Sequence, residues 1–361
     1  MPRKLLCGFV VATTLSLAMT VAAVSPSMAE PALSATPAVS GALELSPEVA
    51  RTAVLAGGGA EARARALAAY WTPERMRAAR PAEERISDRA KEAAVTAPRQ
   101  AAGKPVSIEP AAPDKAPLTR TPAAGSATIS SGLGQTWEAN FSVGQATAQT
   151  VGKVFFTING SDYVCSGAVV NSSGRSLVWT AAHCLTERGK WFTNWQFVPN
   201  YIPWINHSPF GYWNAFRGYV MHEYFIDNHN LAHDIGAAIV HRNWVGYKIQ
   251  DYLGAQGIAF SHPLQTVRAF GYPASPPYDG QRLWTAYDNT VDDGSSIIYM
   301  RNAMNGGSSG GPWLMDWNGH DGKVNGNNGF ISVAHPGRMY SPYYGYTTSL
   351  FYNDVESVTA P

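Results

Sequence analysis

Three short stretches of this chain carry residue types that could do acyl-transfer chemistry. Gly307-Ser308-Ser309-Gly310-Gly311-Pro312 sets a serine among glycines, and Thr180-Ala181-Ala182-His183-Cys184 sets a histidine on a run of small residues. His233-Asp234-Ile235-Gly236 places an acid directly before an apolar run. Acyl transfer needs a nucleophile, a base to take its proton, a group that fixes the tautomer of the base, and donors for the oxyanion. Ser309 is the candidate nucleophile, His183 the candidate base and Asp234 the candidate orienting acid. Glycine lets the backbone turn tightly and aim successive N–H groups into one small space. A donor placed there stabilises a tetrahedral oxyanion by roughly 3 kcal/mol. Each stretch alone is weak, because a Gly/Ser loop is ordinarily just a loop and a lone histidine is ordinarily structural. An acid buried at Asp234 is costly by itself, and a hydrogen bond to a histidine N–H offsets that cost. Asp227 lies close enough in sequence to compete, but the apolar strand after Asp234 favours Asp234.

The cysteines bear on where the histidine sits. Cys7 lies in an N-terminal stretch with the marks of an export signal: Arg3 and Lys4, an apolar run from Leu5 to Val24, and Ser27-Met28-Ala29 as a small-x-small cleavage site. Residues 1–29 are therefore expected to be removed and the product to be secreted and extracellular. Cys165 and Cys184 are then the only cysteines left, and two cysteines in an exported protein are expected to pair. Such a bridge stabilises by about 3 kcal/mol in the chain-entropy picture. It also pins the His183 turn to the neighbouring strand. No thiolate cluster is left for a metal, and no cofactor is expected.

The elements that must position these residues fall in the second part of the chain. The whole has 361 residues, 45% hydrophobic and 15% charged with a formal net charge of +1, a globular composition that excludes extensive disorder. Nothing in that total points to nucleic acid or an anionic membrane surface. Residues 1–125 carry 15 Lys/Arg against 11 Asp/Glu, and residues 126–361 carry 12 against 15. All aromatics but Phe9, Tyr70 and Trp71 lie after residue 125. From 30 to 125 the chain is rich in Ala, Pro, Arg and Glu and is expected to be a propeptide and linker. Helices are expected from Pro47, over Ala60–Tyr70, and from Pro73 with Thr72 as cap, followed by an extended linker over 96–124. From about Thr128 short apolar runs alternate with Gly, Asn, Asp and Pro. Strands are expected at Val154–Ile158, Val164–Val170, Ser176–Thr180, Ile235–Val240, Val267–Tyr272, Ser296–Met300 and Gly329–Ala334, which makes 126–361 an all-β domain.

With these residues in their His–Asp–Ser order and a cysteine beside the histidine, the chain resembles the chymotrypsin-like serine peptidases over roughly 150–350. The similarity is greatest to the secreted bacterial branch that includes the glutamyl endopeptidases. The resemblance implies two six-stranded antiparallel β-barrels with the active site between them, His183 and Asp234 on the first and Ser309 on the second. It implies an oxyanion hole made by the N–H groups of Gly307 and Ser309, and a secreted serine endopeptidase, made as a precursor and acting through an acyl-enzyme. Its partners would be polypeptide substrates and its own propeptide. No nucleic acid, no membrane after signal cleavage and a monomeric state are expected. Animal digestive members have aspartate before the nucleophile, where it pairs with a new N-terminus. Here Ser308 stands in that place, so activation by propeptide removal alone is expected. The base of the substrate pocket would be Ala303, with Met304 narrowing it and the strand Ile331-Ser332-Val333-Ala334, followed by His335, as the opposite wall. Glutamyl-specific relatives have a histidine and a hydroxyl where Ile331 and Met304 stand. An apolar or small residue before the cut is therefore expected. An inactive homologue serving as an extracellular adhesin or binding module is the rival class, though such proteins typically lose a triad member.

Other features have plainer readings. The aromatics from Trp191 to Phe197, with Tyr201 and Trp204, suit barrel packing better than sugar binding. Asp316 to Gly322 lacks the ligands of a calcium loop at its fifth and twelfth positions and is expected to be a hairpin turn. His222, His229 and His233 form a metal site only if their loop folds back. Asn140, Asn159, Asn171 and Asn206 each begin an N-x-S acceptor pattern.

Overall fold

The Val151–Ile158 strand is buried along its whole length, and its alternation explains how. Val154, Phe156 and Ile158 join one hydrophobic cluster, whereas Val151 and Phe155 join another on the opposite face. The computed structural model describes Met1 and residues 38–98, 102–114, 133–139, 146–203, 209–227, 230–292 and 294–361. Asn159 and Gly160 both have positive φ, 49° and 82°, the geometry of a tight hairpin turn into Ser161–Val169. From there Leu177–Thr180, Gly236–Val240, Trp213–Val220 and Thr193–Pro199 follow in antiparallel pairing back to Val151–Ile158. Six strands close into an antiparallel barrel. Phe192, Trp195 and Phe197 lie in its core, as their packing reading required. Trp204 lies outside the described residues.

The second half is also β-structure, but hydrogen bonding divides it between two sheets among the described residues. A seven-stranded sheet runs in the order Val106–Ile108, Gly257–Phe260, Lys323–Asn327, Pro312–Met315, Thr266–Gly271, Trp284–Asn289 and Gln135–Glu138. A four-stranded sheet runs Val291–Asp292, Ile297–Arg301, Arg338–Pro342 and Phe330–Ile331. One pair, Gly257–Phe260 with Lys323–Asn327, is parallel rather than antiparallel. The Tyr346–Val355 helix places Phe351 and Tyr352 against Trp179, whose indole N–H donates to Tyr344 Oη at 2.8 Å. Asp316–Gly322 is a hairpin turn, closed by Asn318 Oδ1 accepting from the His320 and Asp321 N–H groups.

The described residues from 38 to 361 fall in one compact unit, so the described early chain from residue 38 onward packs on the barrel. Helices Pro47–Leu55, Ala60–Tyr70 and Pro73–Ala78 stand where the sequence places them, and Thr72 Oγ1 accepts from Arg75 N at 3.3 Å. Val49, Ala66, Leu67, Trp71 and Met76 cover the outer-facing cluster of Phe155 and Val164. This burial is why Val151–Ile158 has no solvent face. The Asp88–Val95 helix and the strands Val39–Ala42 and Val106–Ile108, which pair with Trp213–Val220 and Gly257–Phe260, were not expected. The expected signal segment, apart from Met1, and the expected boundary near residue 125 lie outside the described residues. Among the described residues no helix is long and apolar enough to cross a membrane.

Candidate active site

Strand register brings the acid to the histidine. Gly236 pairs with Thr180, so the turn Ala182–Cys184 after one strand faces the turn Leu231–His233 before the other. His183 N donates to Asp234 Oδ1 at 2.9 Å, and His183 Nδ1 lies 2.7 Å from Asp234 Oδ2. Asp234 is fully buried and His183 only 5% exposed. An ionised carboxylate can only accept, so this contact places the proton on Nδ1 and leaves Nε2 as the basic nitrogen. Asp227 is exposed at the end of the His222–Ile226 helix and takes no part.

Cys165 and Cys184 form the expected disulfide across 19 residues, fixing the histidine turn to the Ser161–Val169 strand. Cys165, His183 and Cys184 offer ligand-type atoms within 4.8 Å of one another, but both sulfurs are committed to that bond. His233 is half-buried, and its imidazole is pushed below its usual range by the loss of solvent, with Glu223 and Asp227 opposing. His229 lies outside the described residues.

Ser309 sits at the junction of the two halves. Its carbonyl accepts from Ser166 N at 2.7 Å, and Ser166 Oγ donates to Gly307 O at 3.0 Å while accepting from Tyr272 N at 2.9 Å. Asn328 Nδ2 donates to Ser308 O and Phe270 O, and Gly310 N donates to Asn328 O at 2.7 Å. Gly307 and Gly310 have φ of +96° and +78°, which shapes the loop around the serine. Ser309 Oγ and His183 Nε2 are both buried without a hydrogen-bond partner among the described residues. Sequence reasoning named Ser309 and Gly307 but missed Ser166 and Asn328, which brace them. The Cys165-Ser166-Gly167 triplet was the available signal for Ser166.

A buried lysine braces the loop behind. Lys153 Nζ donates to Gly280 O at 2.8 Å and lies 5.0 and 4.8 Å from the Phe155 and Tyr201 ring centroids. The loop it holds supplies Ala274 N to Gly306 O at 2.7 Å, next to the candidate oxyanion turn. Burial pulls the ammonium down to about 7, with the Asp279 charge opposing. An unfolded lysine keeps its proton to about 10.4. Between those values the unfolded state binds more protons, so this group makes stability rise with pH from about 7 to about 10. Lys153→Met is expected to be more stable than the wild type by roughly 2 kcal/mol at pH 6, with the gain fading toward pH 10. Urea unfolding at pH 6 and pH 9.5 checks this, and an equal effect at both would refute it.

The expected substrate-pocket residues do not form one wall. Ala303 is exposed with its N–H on Thr136 Oγ1, but Met304 is fully buried in a cluster with Met300, Trp313 and Met339 and so does not narrow an open pocket. The strand ends at Ile331 rather than Ala334. Ser332 starts a turn instead, with Ser332 O accepting from His335 N and Ser332 Oγ from Ala334 N. Val333 and Ala334 are exposed, and His335 Nδ1 lies 2.9 Å from Tyr340 Oη.

The protease Anisep from Arthrobacter nicotinovorans is similar at 32% identity and a TM-score of 0.54, over 58% of this chain and 97% of that one. The thermostable serine protease AL20 from an extremophilic microorganism is similar at 34% and 0.55, over 59% of this chain and 100% of that one. The chain belongs to the chymotrypsin-like serine peptidases. No family model matches it, and no curated protein does. As a member of that family it has a serine-peptidase fold over somewhat more than half its length, preceded by the packed early segment.

Proposed function

We propose that this chain is the precursor of a secreted serine endopeptidase with Ser309 as nucleophile, His183 as general base and Asp234 as orienting acid. The observation that carries this reading is the two-point grip of Asp234 on His183, at the backbone N–H and at Nδ1, which leaves Nε2 as the basic nitrogen. In the reaction His183 Nε2 takes the Ser309 Oγ proton as the oxygen bonds to the substrate carbonyl carbon. The carbonyl oxygen becomes an oxyanion held by the Gly307 and Ser309 N–H groups. His183 then gives its proton to the leaving amine, the C–N bond breaks, and an acyl-enzyme remains. Water attacks that ester in the same manner, with His183 again as base, and frees the acid and Ser309. The missing contact between Nε2 and Oγ is expected to form only when substrate is bound.

The sequence supports export through residues 1–29, and Ser308 supports activation by loss of the early segment without an N-terminal ion pair. No carboxylate stands at Ala303, so basic side chains have no partner there and apolar or small residues before the cut are favoured. Mass spectrometry of products from a peptide library, using chain processed near residue 125, is the test. Apolar or small residues should dominate before the cut. A library cut mainly after Lys or Arg would overturn the specificity, and no cutting at all would overturn the enzyme.

A further inference from the structure

The early segment reaches the catalytic cleft itself. Arg80–Pro81 pair in parallel with Tyr163 and Val164, on the strand that continues to Cys165 and Ser166. The chain then turns through Ala82–Arg85, which packs against the Ala182–Cys184 turn carrying His183. Pro81 lies so near the loop before Ser309 that a methyl group on Gly306 would stand 2.8 Å from its Cβ. Glu83 is only 6% exposed. Its Oε1 accepts from Ile331 N at 3.3 Å and pairs with Lys91 Nζ at 3.3 Å. Residues 80–85 thus meet the disulfide strand, the histidine turn, the serine loop and the Phe330–Ile331 strand. A substrate must lie in the same space.

The reacting groups are sealed but not engaged. Ser309 is 1% exposed, and neither its Oγ nor His183 Nε2 has a partner among the described residues. Among the described residues nothing accepts from the Gly307 or Ser309 N–H groups. A scissile carbonyl would have its oxygen on those donors and its carbon within about 3.5 Å of Oγ. The crossing segment covers the site without offering such a carbonyl. It is also clamped at both ends. Arg85 pairs with Glu187, and Arg80 Nη2 donates to Tyr163 Oη at 2.7 Å. On the far side the Asp88–Val95 helix packs on the turn before Asp234, and Ser296 N donates to Ala97 O at 3.2 Å.

We infer that residues 80–86 are an inhibitory strap and that the early segment is an inhibitor dedicated to its own catalytic body, with Glu83 as anchor. The inference rests on the peptidase reading above. The strap binds as a peptide but is not a substrate, so maturation cuts the chain elsewhere.

The test uses the full chain with two readouts. Labelling of Ser309 by a fluorophosphonate is followed by intact mass, counting only uncut molecules. Uncut wild-type chain should label at least about 100-fold more slowly than processed chain, given the sealed nucleophile. Glu83→Ala and Lys91→Ala should each speed labelling of uncut chain by about tenfold or more, whereas Glu83→Gln, which keeps an acceptor for Ile331 N, should do less. Equal labelling of uncut and processed wild type overturns the strap. The second readout needs no chemistry: hydrogen exchange of the Ile331 amide in Ser309→Ala chain. Protection lost on adding Glu83→Ala supports the strap even if Ser309 proves inert, and unchanged protection overturns it. A processed wild-type chain that does not label overturns the peptidase reading alone.

Discussion

In the processed chain, Ser309→Ala is expected to lower kcat/KM for a peptide substrate by about 10⁴- to 10⁶-fold, and His183→Ala by a similar factor. The two losses should not add, because a base without its nucleophile and a nucleophile without its base are equally idle. The Ser309→Ala/His183→Ala pair should therefore be about as slow as either single change. Asp234→Asn is expected to lose about 10⁴-fold by another route. Its amide can present an N–H toward Nδ1, which favours the wrong imidazole tautomer while the fold survives. The Asp234 carboxylate also accepts from His183 N, so the amide must satisfy two donors with one oxygen. Progress curves on a fluorogenic peptide, with each variant checked for folding by circular dichroism, provide the measurement. Full additivity of the Ser309 and His183 losses would show that the two side chains do not act as a unit.

Gly310→Ala should be severely damaging for a single added methyl group. A Cβ there would stand 2.1 Å from Thr180 Oγ1, 2.6 Å from Ser166 O and 2.7 Å from Ala181 N, at a φ of +78°. Two of those atoms are backbone, and the third is fixed because Thr180 Oγ1 donates to Ser166 O at 2.8 Å. Nothing nearby can yield without moving the strand beside the disulfide or the histidine turn. A loss of at least about 4 kcal/mol is expected, combining overpacking with a strained backbone. Any chain that still folds should have Ser309 displaced and kcat lower by about 100-fold, since misplacement near 1 Å has that effect. Gly160→Ala is the control. Its φ is +82°, but nothing lies within 4 Å of the added Cβ, so about 1 kcal/mol is expected. Urea denaturation compares the two, and equal effects would refute the packing explanation.

Much of this arrangement was legible in the sequence because it rests on local signals. The barrel strands show as apolar runs between turn residues, and Asn159-Gly160 marks its hairpin by the left-handed backbone that only such residues adopt easily. His183 and Ser309 each stand in a run of small residues whose lack of bulk is itself the signal, whereas Asp234 is marked by the apolar strand that follows it. Other elements were illegible because tertiary pairing creates them. Val106–Ile108 sits in a Pro/Ala-rich stretch and becomes a strand only by joining Gly257–Phe260. The Asp88–Val95 helix has a modest pattern but a good cap, Ser87 Oγ accepting from Ala90 N at 3.3 Å. The wall expected at Ile331–Ala334 gives way to a local turn, in which Ser332 O accepts from His335 N and Ser332 Oγ accepts from Ala334 N, a side-chain-to-backbone bond that competes with strand pairing. Glu83 looked like any surface acid. Nothing near it in sequence shows that Ile331, 248 positions away, would bond to it.

The strands contributed by the early chain also matter for what they end. Val39–Ala42 is the outermost strand of one sheet, and Val106–Ile108 is an outermost strand of another. Their four and three residues are too short to serve as templates for a neighbouring molecule. The strands beneath are longer and more apolar, with Ile258, Ala259 and Phe260 almost wholly buried. A catalytic body stripped of both would carry bare backbone donors and acceptors along two apolar edges, the arrangement that leads to edge-to-edge association. Losing the early segment would therefore trade colloidal stability for an open cleft.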